Sequence, residues 1–497
     1  MRREFGPNVD NLFERTGWAS QPWNLFYSEV AMFRVSPWIA VVVLQALAAS
    51  PCAFAQDWPQ WRGANRDGKA TFEAPAEWPK ELVQKWKIAI GDGVATPALV
   101  GDRLYVFTRQ DGNEVVRCLN AADGSEVWAD KYEAEGVRGA AGGFSGPRAS
   151  PTVAGGKVIT FGSQGTLSCY DAASGKVLWR NTQHVGKAPR FATSSSPLVV
   201  GALCIVQFGT ERDGGVAALD LASGDEKWKW TGDGPAYGSP VAIQVGETAA
   251  IVAPTDKNMV ILAAADGKEL WKIGYEQGRY NAATPIVDGT TLIYAGPTRG
   301  STAQKIEMQG GAVEAKPLWT NSEHSVQFNT PVLKDGMAYG ISNLNNVFCI
   351  ETESGKTLWS APLGAAGTEQ RSGERPTERR GDDANAQQDR PRETPRDGQR
   401  AEQGDRPRGP GGPGGRGPGG RGGRGGGRGG YGSVVDAGSV LFALVPTGEL
   451  TVFAPGKEFK KLASYKVGER GTYAHPVVSG KRIFIKDQDS LALWQMP

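Results

Sequence analysis

Short apolar runs that alternate with polar residues fill most of the chain beyond residue 90, and they come in copies. A run opening with Thr-Pro or Ser-Pro recurs as TPALVGDRLYVF, SPTVAGGKVITF, SPLVVGALCIVQF, SPVAIQVGETAAIV, TPIVDGTTLIYA, TPVLKDGMAYGI and HPVVSGKRIFIK. The marker prolines are Pro97, Pro151, Pro197, Pro240, Pro285, Pro331 and Pro476. Five copies continue into a second pattern, a polar turn followed by tryptophan: NAADGSEVW, DAASGKVLW, DLASGDEKW, AAADGKELW and ETESGKTLW. The glycine four residues ahead of each tryptophan suits a turn that needs positive φ. Alternation on either side of these turns predicts strands, not helices.

Counting the copies sets the architecture. The tryptophans are Trp128, Trp179, Trp228, Trp271 and Trp359, with Trp319 closing a degenerate copy. Pro331 and Pro476 stand 145 positions apart, room for two repeats, the one Pro331 opens and one more, plus an insertion. GSVVDAGSVLFALVPTGELTVFAPGKEFKKLASY supplies that repeat, with Val434 in place of the proline and Tyr465 in place of the tryptophan. The openings therefore number eight. The last copy stops after SLALW, one strand short, whereas ELVQKWKIAI around Trp86 is a strand without an opening of its own. Joining the two predicts an all-β, eight-bladed propeller over residues 57–497, with four-stranded antiparallel blades and an N-terminal strand that closes the last one. The repeated aromatics Trp86, Trp128, Trp179, Trp228, Trp271, Trp319, Trp359 and Tyr465 are expected to dock one blade on the next.

The segments outside the repeat read differently. From Met32, MFRVSPWIAVVVLQALAASPCAFAQ has a basic start, an apolar run too short for a membrane span and an Ala-Phe-Ala end, which makes residues 32–55 a secretory signal peptide. Residues 1–31 do not suit a position ahead of a signal, so translation is expected to begin at Met32, with cleavage near Ala55 preferred to lipidation at Cys52. Residues 365–432 interrupt the ring between blades 6 and 7 with an Arg/Gly-rich stretch nearly devoid of apolar residues, and are expected to be a disordered insertion.

Composition narrows the chemistry. The 68 glycines and 31 prolines fit a molecule rich in turns, and 55 basic against 53 acidic residues leave no broad field for nucleic acid. Cys118, Cys169 and Cys349 occupy one slot of three repeats, too far apart for disulfides, and with Cys204 are expected to pack as small buried residues. The three histidines, His184, His324 and His475, have no metal-ligand spacing. Residues just ahead of each innermost strand line the mouth of a propeller: Arg148, Arg190, Tyr237, Arg279, Tyr280, Asn281, Gln327, Asn329, Tyr473 and His475. That polar, aromatic and basic set suits an anionic or sugar-like ligand or a peptide, with loop support as the competing role.

The turn, glycine and tryptophan pattern resembles the PQQ-like β-propeller repeat family, and DWPQWRGANRDG at Asp57–Gly68 resembles the leader of an exported subgroup. The outer-membrane assembly lipoprotein BamB and the quinoprotein alcohol dehydrogenases are similar in architecture. The enzymes of that family imply an adjacent cysteine pair, carboxylate and amide ligands for calcium and an aspartate base; no two cysteines adjoin here and no CxxCH is present. The resulting expectation is an exported, monomeric, non-catalytic platform for a protein or small ligand, without a cofactor. The alternative is an alcohol or sugar oxidoreductase using PQQ with calcium.

Overall fold

The computed structural model describes residues 56–277, 281–363, 430–469 and 471–496. These residues form eight separate four-stranded sheets and one short 3-10 turn, Gly139–Ala141. No helix among them is long and apolar enough to cross a membrane. Seven sheets are simple antiparallel meanders in chain order, such as Ala98–Val100, Arg103–Gln110, Asn113–Asn120 and Glu126–Glu133 in blade 1. The eighth combines Val477–Ser479, Arg482–Lys486 and Ser490–Gln495 with Val83–Ala89, which pairs antiparallel with the last strand and sets Trp86 opposite Leu493. The ring closes as the repeat count requires.

Burial explains why one blade cannot stand alone. The hydrophobic clusters bridge neighbouring blades: Tyr105, Phe107 and Trp128 of blade 1 pack with Val158 and Tyr170 of blade 2, Ile205 and Trp228 of blade 3 pack with Ile251 and Val260 of blade 4, and the largest joins blades 7, 8 and 1 with Trp58 and Phe72 of the leader. The middle strands are buried on both faces and the fourth strands are largely exposed, so the apolar gain lies between sheets.

The repeat motif works across each of these seams. The indole N–H of Trp86 donates to Ala121 O at 3.3 Å, Trp128 to Ala172 at 3.0 Å, Trp179 to Leu221 at 3.2 Å, Trp228 to Ala264 at 3.0 Å, Trp319 to Thr352 at 2.6 Å and Trp359 to Gly456 at 3.0 Å. In each case the acceptor belongs to the next blade. Tyr465 completes the series by donating to Pro79 O at 2.9 Å, just ahead of the strand that closes blade 8. Trp271 makes no such bond among the described residues; it packs beside Met308 and Ala315, where blade 5 turns through Gly310–Gly311 and lacks the motif.

The recurring turn glycine of the motif has a second reason that its own repeat does not reveal. A Cβ on Gly175 would lie 2.5 Å from the Trp128 ring, one on Gly224 2.6 Å from Trp179, and one on Gly267 2.4 Å from Trp228. The glycine of one blade is the floor on which the previous blade's indole rests.

Residues 1–55, including the expected signal peptide and Cys52, lie outside the described residues, as does most of the expected insertion. Its C-terminal border differs from the sequence expectation, because Gly430–Gly432 pack on blade 6. The chain leaves and returns at one residue: Leu363 N donates to Asn345 O at 3.2 Å and Gly430 N to Asn345 Oδ1 at 3.0 Å. A long insertion that starts and ends at one hairpin leaves the sheets intact. Cys118, Cys169, Cys204 and Cys349 are all buried free thiols, pushed up to about 11 for Cys118 and about 12 for the others by burial.

Candidate functional site

In blades 1 to 6 the innermost strand begins just after the marker Pro, and the residue before that Pro is Thr or Ser for a reason visible only in the ring. Thr96 N donates to Ser150 Oγ, Ser150 N to Ser196 Oγ, Ser196 N to Ser239 Oγ, Ser239 N to Thr284 Oγ1 and Thr284 N to Thr330 Oγ1, all at 2.9–3.2 Å. His475 N closes onto Thr96 Oγ1 at 3.0 Å. A hydroxyl from each of blades 1 to 6 thus satisfies a backbone donor of the blade before it. The pattern lapses at blades 7 and 8, where Ser433 Oγ and His475 Nδ1 are buried without a hydrogen-bond partner.

The leader fills the space inside this ring. Innermost strands are sheet edges, and their carbonyls need donors. Arg62 donates to Thr330 O and Pro331 O, both at 2.8 Å, and Arg66 to Ser196 O at 3.2 Å, Pro240 O at 2.8 Å and Pro197 O. Both side chains are buried, and burial lowers them to about 10 and about 9, so each remains a cation at neutral pH. Both also hold left-handed backbone, φ +61° and +59°, a conformation that costs about 1 kcal/mol or more at a non-glycine residue. Trp61 lies beside them, its N–H on Thr284 Oγ1 at 3.0 Å and its ring edge-on to His475 at 4.6 Å.

Around the mouth stand half-buried aromatics from the loops between blades. Phe328 stacks on Tyr431 at 4.1 Å, Tyr431 meets Tyr473 at 4.8 Å, and Tyr473 meets Phe144 at 4.7 Å, both edge-on. Phe191 and Tyr237 pair farther round at 5.8 Å. Leu344, 76 % exposed, caps the hairpin of blade 6 that Asn343 and Asn345 tie to Ser325 and Gly430 beside this arc.

The sequence-derived set divides on inspection. Tyr237 and Tyr473 belong to the aromatic wall, and Gln327 is half-buried next to Phe328. Arg190 is exposed, its guanidinium 5.4 Å from the Phe191 ring, while its backbone N–H donates to Glu211 Oε1. Arg148 is spent on its own loop, donating to Ala141 O at 2.8 Å, Phe144 O at 3.2 Å and Gly146 O at 3.2 Å. Asn281 and Asn329 are buried and hold backbone, through Thr255 O at 2.7 Å and Ile341 O at 2.6 Å. His475 is buried in the ring, and Arg279 and Tyr280 lie outside the described residues. Sequence reasoning missed Phe144, Phe191, Phe328 and Tyr431 although all stand in the same loops; Tyr431 was hidden by the border assigned to the insertion. It also missed Trp61, Arg62 and Arg66, since nothing local marks the leader as axial.

His475 carries a pH prediction. Burial and the neighbouring Arg62 cation hold its imidazole well below the ordinary value of 6.5. The unfolded chain therefore takes up this proton first as pH falls, and stability present above about pH 6.5 is lost below it, by up to about 1.4 kcal/mol per pH unit. His475→Thr restores the hydroxyl of the other blades and should flatten that loss. Urea midpoints at pH 7.5 and 5.0 that shift equally in both proteins would remove the role.

Comparison with known proteins agrees with this geometry. An outer membrane protein assembly factor BamB from Xanthomonas campestris pv. campestris is 25 % identical over 289 residues, 47 % of this chain and 68 % of the relative. The crystal structure of BamB from Moraxella catarrhalis superposes with a TM-score of 0.54 at 14 % identity, covering 84 % of this chain and all of that one. The quinohemoprotein alcohol dehydrogenase of Comamonas testosteroni gives 0.56 at 13 % identity over 89 % of this chain and 81 % of that one, a likeness of fold alone. A family model described as outer membrane protein assembly factor BamB matches residues 66–242 and 112–361, together more than half of the sequence, and the chain belongs to that β-propeller family.

Proposed function

We propose that this chain is an exported, monomeric, non-catalytic platform whose mouth face docks a partner protein. The observation that carries the reading is the apolar rim: Leu344 stands 76 % exposed beside the Phe328–Tyr431–Tyr473–Phe144 arc. Aromatic side chains held by their neighbours offer contact area at little entropic cost, which is what an interface centre needs. Export rests on the signal-like segment 32–55, and the likeness to outer membrane protein assembly factors supports a role in binding other proteins.

The platform needs no cofactor. Among the described residues no group of three His, Cys, Asp or Glu stands where it could hold a metal ion. The strongest donors on the axis are two guanidiniums, cations that oppose calcium and whose N–H groups already face carbonyls. These residues do not fit a calcium–quinone pair, and no oxidoreductase step is derived.

Leu344→Glu should abolish cross-linking of the native partner in envelope extracts without altering the melting temperature. Leu178→Glu, on the outer strand of blade 2, serves as the control and should retain it. Equal capture by both variants would reject the mouth face, and dye reduction on addition of PQQ, calcium and an alcohol would reject the non-catalytic reading.

A further inference from the structure

The leader touches every blade. Trp58 exchanges backbone hydrogen bonds with Leu99 of blade 1 at 2.8 and 2.9 Å, and Val153 N of blade 2 donates to Pro59 O at 2.8 Å. Arg66 grips blades 3 and 4, Trp61 blade 5 and Arg62 blade 6. On the way out Ala70 N donates to Asp436 O of blade 7 at 2.7 Å, and Glu73 N to Gly480 O of blade 8 at 3.0 Å. The segment enters beside the ends of the innermost strands, where Asp57 Oδ1 accepts from Gly101 N and Gln56 O from Ser479 Oγ. It reaches the marker prolines at their beginnings and turns back.

These contacts are those of a bound peptide. Three short pairings, Trp58 with Leu99, Lys69 with Asp436 and Phe72 with Gly480, add the leader to exposed strand edges, the way extended peptides join sheets. Side chains then read the site: Trp58 is fully buried, and two arginines four residues apart reach carbonyls of different blades, Arg62 those of blade 6 and Arg66 those of blades 3 and 4. A guanidinium presents five donors in a fixed fork and suits carbonyls that have no strand partner. Gly68 is needed as well, at φ +78°, because a Cβ there would lie 2.6 Å from Val332.

We propose that the axial channel is a peptide-recognition site, that its ligand class is a Trp-Arg-x-x-x-Arg segment, and that residues 56–73 occupy it in cis. The channel is therefore closed to any other ligand while the leader is seated. A peptide with the same two arginines is the competitor it admits.

The test cuts the connection without removing the peptide. A protease recognition sequence is inserted between Ala76 and Glu77, both exposed, and the full chain is cleaved after folding. The freed leader should co-elute with the ring. It should exchange slowly with a fluorescent synthetic peptide spanning Gln56–Glu73, and unlabelled peptide should compete. A peptide carrying Arg62→Ala and Arg66→Ala should compete at least about 100-fold less well, the loss expected when several charge-assisted bonds are removed. Unfolding of the cleaved ring that excess wild-type peptide reverses supports the same site. Three results would overturn it: departure of the leader from a ring that stays folded and refuses the labelled peptide, equal competition by the alanine peptide, or unfolding that the peptide does not reverse.

Discussion

Replacing Trp128 by alanine should lower the unfolding free energy by about 3–5 kcal/mol, the range for truncating a large buried aromatic. The side chain is 9 % exposed, donates to Ala172 O and packs against Tyr105 and Tyr170 on both sides of one seam. Gly175→Ala should also destabilise, by about 2–4 kcal/mol, because it combines left-handed backbone with overpacking. Its new methyl would stand 2.5 Å from the indole at φ +75°. The two losses should not add. With the indole gone the methyl has room, so the double variant should be more stable than the sum predicts by about 1–3 kcal/mol. Urea unfolding of the four proteins checks this, and additivity within about 0.5 kcal/mol would mean that the glycine serves only its own turn.

Arg66→Met is the second large loss expected. It removes the donors from Ser196 O, Pro197 O and Pro240 O, deep in the ring. A buried acceptor left unpaired costs about 1–3 kcal/mol, so about 3 kcal/mol or more should be lost in total. Arg66→Lys should recover little, since one ammonium cannot span carbonyls of two blades as a planar fork does. A lysine variant as stable as the parent in denaturant would show that charge alone suffices.

The parts of this structure that sequence discloses are those whose physics lies within one repeat. Alternation around Pro197 or Pro240 marks a strand, the turn before Trp228 marks a hairpin, and Trp86 without an opening can only belong to the blade that lacks an outer strand. Other features depend on residues a repeat or more away. The hydroxyl of Ser196 matters because Ser150 N needs it, and Gly224 is reserved for Trp179, both about one blade upstream. The mouth was half legible for the same reason. Position along the chain placed Tyr237 and Tyr473 in the expected ligand-binding set, but it could not separate these half-buried rings from Asn329 or His475, which the packing turns inward. The leader was least legible, because its partners are scattered over all eight blades and no local period announces them.

Order of synthesis gives that arrangement a temporal consequence. Gln56 meets Ser479 across 423 positions and Val83–Ala89 pairs with the third strand of blade 8, so the earliest-made part of the ring finds its partners only after blade 8 has been made. Until then Val83–Ala89 has no strand to pair with, and Gln56 and Glu73 have no blade 8 to meet. Contacts this distant slow folding and leave strand edges open to wrong neighbours. The nascent chain therefore has to be shielded or kept extended until blade 8 arrives, a requirement that an unfolded passage through a translocation channel would meet.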